Sequence, residues 1–265
     1  MNKPGIIQFK PVRDQVDEAE WKMRVDLAAC YRLMARYGMS DMIYNHITAR
    51  VPGSPDHILI NAYGLMYPEI KASSLYKIDL AGNVVLRPDT SYGINNAGYL
   101  IHSTVHQGRP DIHCVLHNHA RASTAVSAMK SGLLPLTQTA MRFYDRVSYH
   151  DYQAVALFDE ERPVLLRDLG PINKVMVLRN HGMLYCGTSI ADAFNIAYFF
   201  ENACRIQIDV MQAGAEPYYP PREVMLRTRD IFENGPNGPG TAMSGELEWP
   251  ALLRMLDRDE PSYKD

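Results

Sequence analysis

The sequence predicts one α/β domain, and three observations support this fold class. Short apolar runs bounded by turn residues alternate with longer segments whose apolar residues recur at helical spacing. A chain of 265 residues, 46% hydrophobic and 22% charged, is long and apolar enough to form one large core. Two apolar runs, residues 111–116 and 174–178, end in histidine-containing turns. Functional sites of open α/β sheets gather where strands end, so these turns are the first candidates for a site.

The chain divides into three predicted segments. Residues 1–16 form an N-terminal arm, residues 17–233 form the α/β domain, and residues 234–265 form a tail that begins with a Gly/Pro-rich linker. The tail has an apolar helical face around Trp249 and Leu253. Such a face packs either on its own chain or on a neighbouring subunit, and the sequence favours neither.

The domain is predicted to begin with a helix over residues 17–37, because acidic residues lead this segment and Gly38 follows it as a C-terminal stop. Apolar runs then predict strands over residues 43–51 and 57–61. Residues 78–86 are interrupted by the turn residues Ala-Gly-Asn, and this pattern predicts a β-hairpin.

Helices and strands alternate in the second half of the domain. Helical spacing predicts helices over residues 95–107 and 120–129, on either side of the first histidine-terminated strand. After strand 174–178 and a short strand that ends at Gly187, a long helix is expected to run to about Met211. Its apolar residues cover more than one stripe, which indicates deep burial.

The composition argues against several classes of partner. The formal net charge of −3 provides no basic field, so we expect no nucleic-acid partner. No apolar run approaches the ~20 residues of a membrane span, and the first residues do not resemble a signal peptide. We therefore expect a cytoplasmic protein that acts on a small molecule. The four cysteines are widely spaced in apolar surroundings and are expected to be buried thiols: Cys30, Cys114, Cys186 and Cys204.

The pattern His117-Asn118-His119, with His181 in the second turn, is the strongest functional signal. An isolated His-x-His pair is more often a hydrogen-bonded pair than a metal site. Here, however, two strand ends each supply histidine, and their rings can be directed toward one point. Three imidazole nitrogens with an open coordination position are typical of a catalytic site for zinc, iron, copper or nickel.

The segment Arg109–His119, the corner Leu178–Gly182 and the alanine-rich helix that follows resemble the class II aldolase/adducin family. The resemblance covers roughly residues 20–212 in the right order, and it extends to Asn45 and the turn 58–64. It implies a three-layer α/β/α sandwich with a central, mostly antiparallel sheet. It also implies a homotetramer and a metal centre, with zinc as the first choice and Fe²⁺ or Mn²⁺ as alternatives. The metal ligands that the resemblance implies are His117, His119 and His181.

The sequence departs from the sugar-phosphate aldolases of this family at three places. Gly98 stands where those enzymes have their acid/base glutamate, which indicates a subgroup that lacks the catalytic carboxylate. The family's Gly-Asn-x-Ser and Thr-x-Thr-Gly phosphate loops correspond to residues 44–47 and 61–64, where Tyr and Asn replace small hydroxyl residues. Since a phosphate dianion needs a dense set of donors, we expect an unphosphorylated substrate, either aromatic or carboxylated.

Two residues are candidates for proton transfer. His102 lies one helical turn after that glycine on the same face, and it either transfers the proton, becomes a fourth metal ligand or forms a structural hydrogen bond. Tyr63 follows a strand end, and it either donates to a developing oxyanion or packs in the turn. The residues expected to bind substrate are Asn45, Asn96 and Gly64.

Three functions from different classes fit the sequence. The first is a metal-dependent lyase that performs retro-aldol cleavage or decarboxylation of a small unphosphorylated oxo or hydroxy acid through a metal-stabilised enolate. The second is a three-histidine iron oxygenase of an aromatic acid, because an iron oxygenase of such acids resembles these aldolases. The third is a non-catalytic scaffold of the adducin type, which ranks last because adducin-type domains have generally lost the histidines.

Overall fold

A computed structural model describes residues 11–153, 160–235 and 244–265. Within these ranges the chain forms one eight-stranded sheet with helices packed on both of its faces. The three-layer α/β/α fold with a mostly antiparallel sheet is therefore confirmed.

Eight strands form the sheet: β1 (His46–Val51), β2 (Ser54–Asn61), β3 (Leu75–Asp79), β4 (Val84–Leu86), β5 (Cys114–Asn118), β6 (Val147–His150), β7 (Val175–Leu178) and β8 (Gly182–Gly187). Their order across the sheet is β4-β3-β2-β1-β5-β8-β7-β6. Every neighbouring pair is antiparallel except β6 and β7, which are parallel. The two strands at the centre, β1 and β5, pair so that His46 lies opposite His117.

The helices of the described ranges are α1 (Glu18–Arg36), α2 (Asn96–Gly108), α3 (Arg121–Ser127), α4 (Gln138–Met141), α5 (Glu161–Leu169), α6 (Ile190–Gln212), α7 (Arg222–Asn234) and α8 (Glu248–Asp259). α1 begins where the Asp17 carboxylate accepts a hydrogen bond from the backbone N–H of Glu20, and Gly38, with a φ of 68°, follows its end. α6 begins where the Ser189 hydroxyl accepts from the backbone N–H of Asp192. These boundaries match the predicted start and stop signals.

Alternation along the strands divides the core between the two faces of the sheet. On one face, Cys114 and Leu116 of β5 belong to the larger cluster, which includes α1 and α6. On the other face, Val115 packs in the cluster that α2 and α5 cover. Because successive side chains point to opposite faces, His117 shares the face of Val115. The sheet therefore places His117 at the end of the core layer beneath α2.

The sequence did not predict β6, α5 or α7. In the two helices, only Leu165 and Leu169 of α5 and Met225 of α7 are buried, and the buried residues of β6 are the polar Ser148 and His150. Helices that bury so few residues show little hydrophobic periodicity, which is the main signal available from a sequence.

The C-terminal tail packs on its own chain. Trp249 and Leu256 of α8 are buried in the cluster that contains α1, and the Trp249 indole N–H donates to the Asp26 carboxylate at 3.4 Å. The apolar face of the tail is thus covered within the chain. It therefore gives no support to the predicted tetramer, which now rests on the family resemblance alone.

The predicted arm and linker fall partly on residues 1–10 and 236–243, which lie outside the described residues. Of the arm, residues Val12–Gln15 form a short 3₁₀ helix with Val12 buried. None of the helices in the described ranges is long and apolar enough to cross a membrane. The four cysteines are all buried free thiols, as predicted.

Candidate metal centre

Three histidine side chains meet at the edge where β5 ends and β8 begins. The ring nitrogens that His117, His119 and His181 could offer to a metal all lie within 4.8 Å of one another. His117 is the last-but-one residue of β5, and His119 follows that strand directly. The predicted convergence of the three rings is therefore present in the structure.

The hydrogen bonds of His117 identify the nitrogen that it offers to the cluster. Its Nδ1 lies 2.9 Å from the backbone oxygen of Met183 on the neighbouring strand β8. A carbonyl oxygen can only accept a hydrogen bond, so the ring proton is on Nδ1. The Nε2 of neutral His117 is then a lone pair, which is the form that binds a metal.

His119 is oriented in the same way by a carboxylate. Its Nδ1 lies 3.0 Å from Oδ2 of Asp41, so Nδ1–H donates to that carboxylate and Nε2 is a second lone pair. A carboxylate behind a histidine ligand fixes its tautomer and raises its basicity. Asp41 was not predicted as a site residue, because it lies in an irregular segment 78 residues away from His119.

The two Nε2 atoms of His117 and His119 lie only 2.9 Å apart. Because both ring protons are engaged at Nδ1, two lone pairs face each other at this distance in the neutral pair. A cation bound between the two Nε2 atoms would be coordinated by both lone pairs, and their mutual repulsion would be relieved. A tetrahedral site with metal–nitrogen bonds of about 2.0–2.1 Å separates its ligand nitrogens by about 3.3 Å, so the pair fits a divalent metal closely.

The turn that carries His181 requires the residue types found in the sequence Asn180-His181-Gly182. Asn180 has a φ of 58°, a left-handed conformation that asparagine tolerates, and the backbone N–H of His181 donates to Leu178 at 3.1 Å to close the turn. A Cβ atom at Gly182 would lie 2.5 Å from the Asn118 backbone oxygen and 2.8 Å from the His119 ring. Glycine therefore allows the start of β8 to approach the His-x-His segment closely.

Burial favours the neutral form of His117 and His181. It lowers the pKa of His117 well below its ordinary value of 6.5, and the neighbouring imidazoles of His46, His119 and His181 lower this pKa further. The pKa of His181 falls to about 4, first because of burial and then because of His119. Neutral imidazole is the protonation state required of a metal ligand, so these two rings are in the form that binds a metal at neutral pH.

A fourth histidine, His46, lies directly against the cluster. Its ring stacks on that of His117, with centroids 4.8 Å apart and planes 25° apart, because β1 and β5 place the two residues opposite each other. His46 was not among the site residues predicted from the sequence. The pairing of β1 with β5 joins strands that are more than 60 residues apart, and no local sequence signal reports such a pairing.

His102 is positioned differently from the sequence-based expectation. Its ring is fully buried, and its Nε2 lies 2.9 Å from His46 Nδ1, so His46 stands between His102 and the stacked ring of His117. A fourth-ligand role for His102 therefore does not fit the structure, because the ring from β1 occupies the intervening space. Any part that His102 plays in proton transfer acts through His46.

The remaining predicted site residues lie in the loops around β1 and β2 and at the start of α2. Asn45 is buried directly before His46, and its Oδ1 accepts a hydrogen bond from the Asp41 backbone N–H at 2.7 Å.

Tyr63, Gly64 and Asn96 lie farther along the chain. The Tyr63 backbone N–H donates to the Gly93 oxygen at 2.7 Å, and the Tyr63 ring lies 6.4 Å from that of Tyr44. Gly64 has a φ of 127° and faces the ring of Tyr92, and Asn96 is exposed at the first position of α2. Their roles toward a substrate stay predictions.

Residues 25–208 match the family described as Class II Aldolase and Adducin N-terminal domain. A protein of Pseudomonas aeruginosa that is provisionally named an aldolase class 2 protein is 48% identical over 253 residues, which cover 96% of this chain and 96% of that protein. Mouse alpha-adducin is 41% identical over 248 residues, which cover 91% of this chain but 34% of the adducin.

Two solved structures are similar over nearly the whole chain. An aldolase II superfamily protein from Pseudomonas syringae has a TM-score of 0.89 and 46% identity, and the match covers 97% of this chain and 100% of that one. L-fuculose 1-phosphate aldolase from Glaciozyma antarctica PI12 has a TM-score of 0.81 over 99% of this chain and 97% of that chain. At 22% identity, this second similarity shows the shared fold alone.

Proposed function

This chain belongs to the class II aldolase and adducin N-terminal domain family, and we propose that it is a metal-dependent lyase. The reaction we propose is retro-aldol cleavage or decarboxylation of a small, unphosphorylated oxo or hydroxy acid. The observation that supports a metal-dependent reaction most strongly is the pair of facing Nε2 atoms of His117 and His119, each with its proton engaged on the other side of the ring.

The metal ligands in this proposal are His117, His119 and His181, with zinc as the first choice. When bound there, a divalent metal would act as a Lewis acid and stabilise the negative charge that develops on a substrate oxygen. Asp41 holds the ring of His119 in place, and the Met183 carbonyl does the same for His117. Retro-aldol cleavage and decarboxylation both develop charge on such an oxygen, so the residues that surround it decide between them.

The proposed substrate class follows from the residues at positions 44–47 and 61–64, which correspond to the phosphate loops of the sugar-phosphate aldolases. Tyr44 and Tyr63 stand in these loops with their rings 6.4 Å apart, and Gly64 lies against the ring of Tyr92. Phenol rings and amides offer fewer strong donors to a phosphate dianion than a cluster of hydroxyls and backbone N–H groups. We therefore propose a carboxylated substrate without phosphate, oriented by Asn45 and Tyr63, with Gly64 and Asn96 at the rim of the cleft.

An iron oxygenase of an aromatic acid is the second candidate. The specific observation in its favour is a three-histidine cluster next to a glycine, Gly98, at the position where the sugar-phosphate aldolases have a carboxylate. The similarity to alpha-adducin also keeps a scaffold role as a third candidate, although this chain retains a complete histidine cluster. We further propose a cytoplasmic homotetramer with the cleft near a subunit boundary, which light scattering tests.

Elemental analysis of the protein purified without added metal separates these candidates. Zinc or manganese at about one ion per chain supports the lyase, iron supports the oxygenase, and a protein without metal supports the scaffold. A panel of unphosphorylated 2-oxo and hydroxy acids, assayed with the metal-loaded protein, then tests the proposed chemistry. A zinc-loaded protein that consumes no member of the panel would contradict the lyase.

A further inference from the structure

The short helix α3 lies between the two turns that carry the candidate metal ligands. Only Ala120 separates His119 from the first residue of α3, so the direction in which the helix leaves the sheet fixes the backbone on one side of His119. The other end of the helix is bonded to the turn that carries His181. The proposed function does not yet give this helix a role.

The far end of α3 is joined to the residues that precede His181. The carbonyl of Ser127, the last residue of the helix, accepts a hydrogen bond from the Asn180 backbone N–H at 3.5 Å. The Met129 carbonyl, just beyond the helix, accepts from Nη1 of Arg179 at 2.6 Å. Two carbonyls at one end of α3 thus hold the two residues that lead into His181.

These contacts close a ring of backbone beside the site. One half of the ring is α3, which connects His119 to the turn at residues 179–180. The other half is the antiparallel pairing of β5 with β8, in which Asn118 lies opposite Met183. Because His119 and His181 lie at the two junctions between these halves, a displacement of α3 would change the separation of the two ligands.

The N-terminus of α3 is capped by a side chain from another helix. The residue before α3 is Ala120, whose methyl group cannot accept a hydrogen bond. The first turn of a helix presents backbone N–H groups that have no acceptor within the helix. Here Glu201 of α6 provides the acceptors. Its Oε1 accepts from the Ala122 N–H at 3.2 Å, and its Oε2 accepts from the Ser123 N–H at 2.9 Å.

Glu201 is more deeply buried than a carboxylate usually is. Its side chain is 2% exposed, and it follows the buried Phe200 on α6. Burying a charged group is costly unless hydrogen bonds and an opposite charge compensate it. The two backbone N–H groups supply the hydrogen bonds, and Arg205 supplies the charge, with its Nε 3.2 Å from Oε1. Both carboxylate oxygens therefore have fixed partners, and they hold α3 in one position against α6.

We propose that Glu201 is a positioning residue of the candidate metal centre. Through α3, its carboxylate fixes the backbone beside His119 and the turn that leads into His181, and so holds these two ligands at the separation that a metal requires. Glu201 is not itself a ligand. This inference rests on the proposed metal-dependent function, because it concerns the place where the metal would bind.

A second buried carboxylate on α6 provides a matched control. Asp192 is 3% exposed, and it accepts from the Thr188 backbone N–H at 2.9 Å and from Nζ of Lys174 at 2.7 Å. Like the carboxylate above, it combines a bond to a backbone N–H with an ion pair. It lies next to the end of β8 at Gly187, however, whereas His181 directly precedes the start of that strand. Neutralising either carboxylate should destabilise the fold, but only one of them acts on the metal centre.

The zinc affinities of the metal-free variants, measured by calorimetry, test the role of Glu201. Glu201→Gln places an amide NH₂ against one of the two backbone N–H groups, so one of the capping hydrogen bonds is lost. Its zinc affinity should fall about tenfold, the lower end of the range for removing a group that holds a metal ligand. Asp192→Asn should bind zinc like the wild type. An unchanged affinity in Glu201→Gln, or an equal loss in both variants, would overturn the proposal.

The absorption spectra of the cobalt-loaded proteins distinguish positioning from a general loss of stability. The visible bands of bound Co²⁺ depend on the geometry of its ligands and not on the free energy of unfolding. These bands should differ from those of the wild type in Glu201→Gln and match them in Asp192→Asn. Identical bands in all three proteins would show that Glu201 stabilises the fold without positioning the ligands.

Glu201→Asp is the milder variant, because it keeps the charge on a shorter side chain. Its zinc affinity should lie between those of the wild type and Glu201→Gln. If Glu201→Gln does not fold, Glu201→Asp decides the test, and a wild-type affinity in this variant would overturn the proposal. A wild-type protein that binds no zinc would instead contradict the proposed function, and this inference with it, before any variant is compared.

Discussion

The imidazole of His46 lies so close to the backbone of Gly98 that a Cβ atom at position 98 would require the ring to move. A Cβ atom at that glycine would come within 2.4 Å of the ring, a separation that side chains do not tolerate. The two residues come from different layers, since β1 carries the histidine and α2 carries the glycine. The histidine of the sheet and the glycine of the helix thus pack directly against each other beside the candidate metal centre.

Gly98→Ala should destabilise the protein. Alanine inside a helix normally stabilises it by about 0.5–1 kcal/mol relative to glycine. Here the added methyl group must displace the buried ring of His46 and break its hydrogen bond to His102, and overpacking of this kind costs about 1–3 kcal/mol. The free energy of unfolding in urea measures the result.

Gly93→Ala is the matched control for this substitution. A Cβ atom at Gly93 meets nothing within 4 Å, so the variant should be about as stable as the wild type. If Gly98→Ala proved as stable as Gly93→Ala, the close approach of His46 to Gly98 would be wrong.

Asp41→Ala should weaken metal binding while leaving the fold intact. The carboxylate is half exposed and accepts the ring proton of His119, so its loss frees the ring to rotate and to change tautomer. Removing a group of this kind typically costs about 10–100-fold in metal affinity. Titration of the metal-free protein with zinc measures the change. The exposed Asp209→Ala on α6 provides the control, and equal zinc affinities for the two variants would refute the role of Asp41.

The histidine cluster was predictable from the sequence because its signal is local. His117 and His119 follow one apolar run, and His181 follows another, so each strand end could be located without knowledge of its neighbours. The type and approximate boundaries of α1, α2, α6 and the strands that flank the cluster were predictable for the same reason. Periodicity, capping residues and glycine stops are all encoded within a few residues of one another.

The parts that the sequence did not reveal depend on long-range pairing. Asp41 reaches His119 across 78 positions, and His46 meets His117 only because β1 pairs with β5. His102 is buried on α2, and its distance from the cluster depends on the ring of His46 that β1 inserts between them. Nothing in the local pattern of residues 41–46 distinguishes a ligand-orienting loop from an ordinary turn.

The stability of the metal-free protein should fall as the pH is lowered from about 6.5 toward 3. Burial, with the positive charge of Arg50 second, lowers the pKa of His106 from its ordinary value of 6.5 to about 3. Between these values the unfolded chain binds a proton at this residue that the native protein does not bind, so unfolding becomes more favourable with acid. The slope of unfolding free energy against pH measures this proton uptake.

A variant identifies the contribution of this one histidine. His106→Gln should have a shallower slope than the wild type between about pH 6.5 and 3. Identical slopes for the two proteins would show that His106 is not held neutral in the native state.

The metal-loaded protein should not cleave sugar phosphates such as fuculose phosphate or rhamnulose phosphate at a significant rate. Gly98 provides no carboxylate, and the loss of a positioned acid/base group typically costs about 10²–10⁴-fold in rate. The loops around Tyr44 and Tyr63 also lack the small hydroxyl residues that would hold a phosphate. A coupled assay that compares sugar phosphates with unphosphorylated hydroxy acids tests this. Efficient turnover of the phosphates would refute the proposed substrate class.

Calorimetric titration of the metal-free protein with zinc is the most direct test of whether the three histidines form a metal centre. If His117, His119 and His181 form one metal centre, the wild type binds about one zinc ion per chain and His119→Ala loses this binding. The exposed His113→Ala should bind zinc like the wild type. Tight binding of zinc that is unchanged in His119→Ala, or no binding by the wild type, would contradict the account.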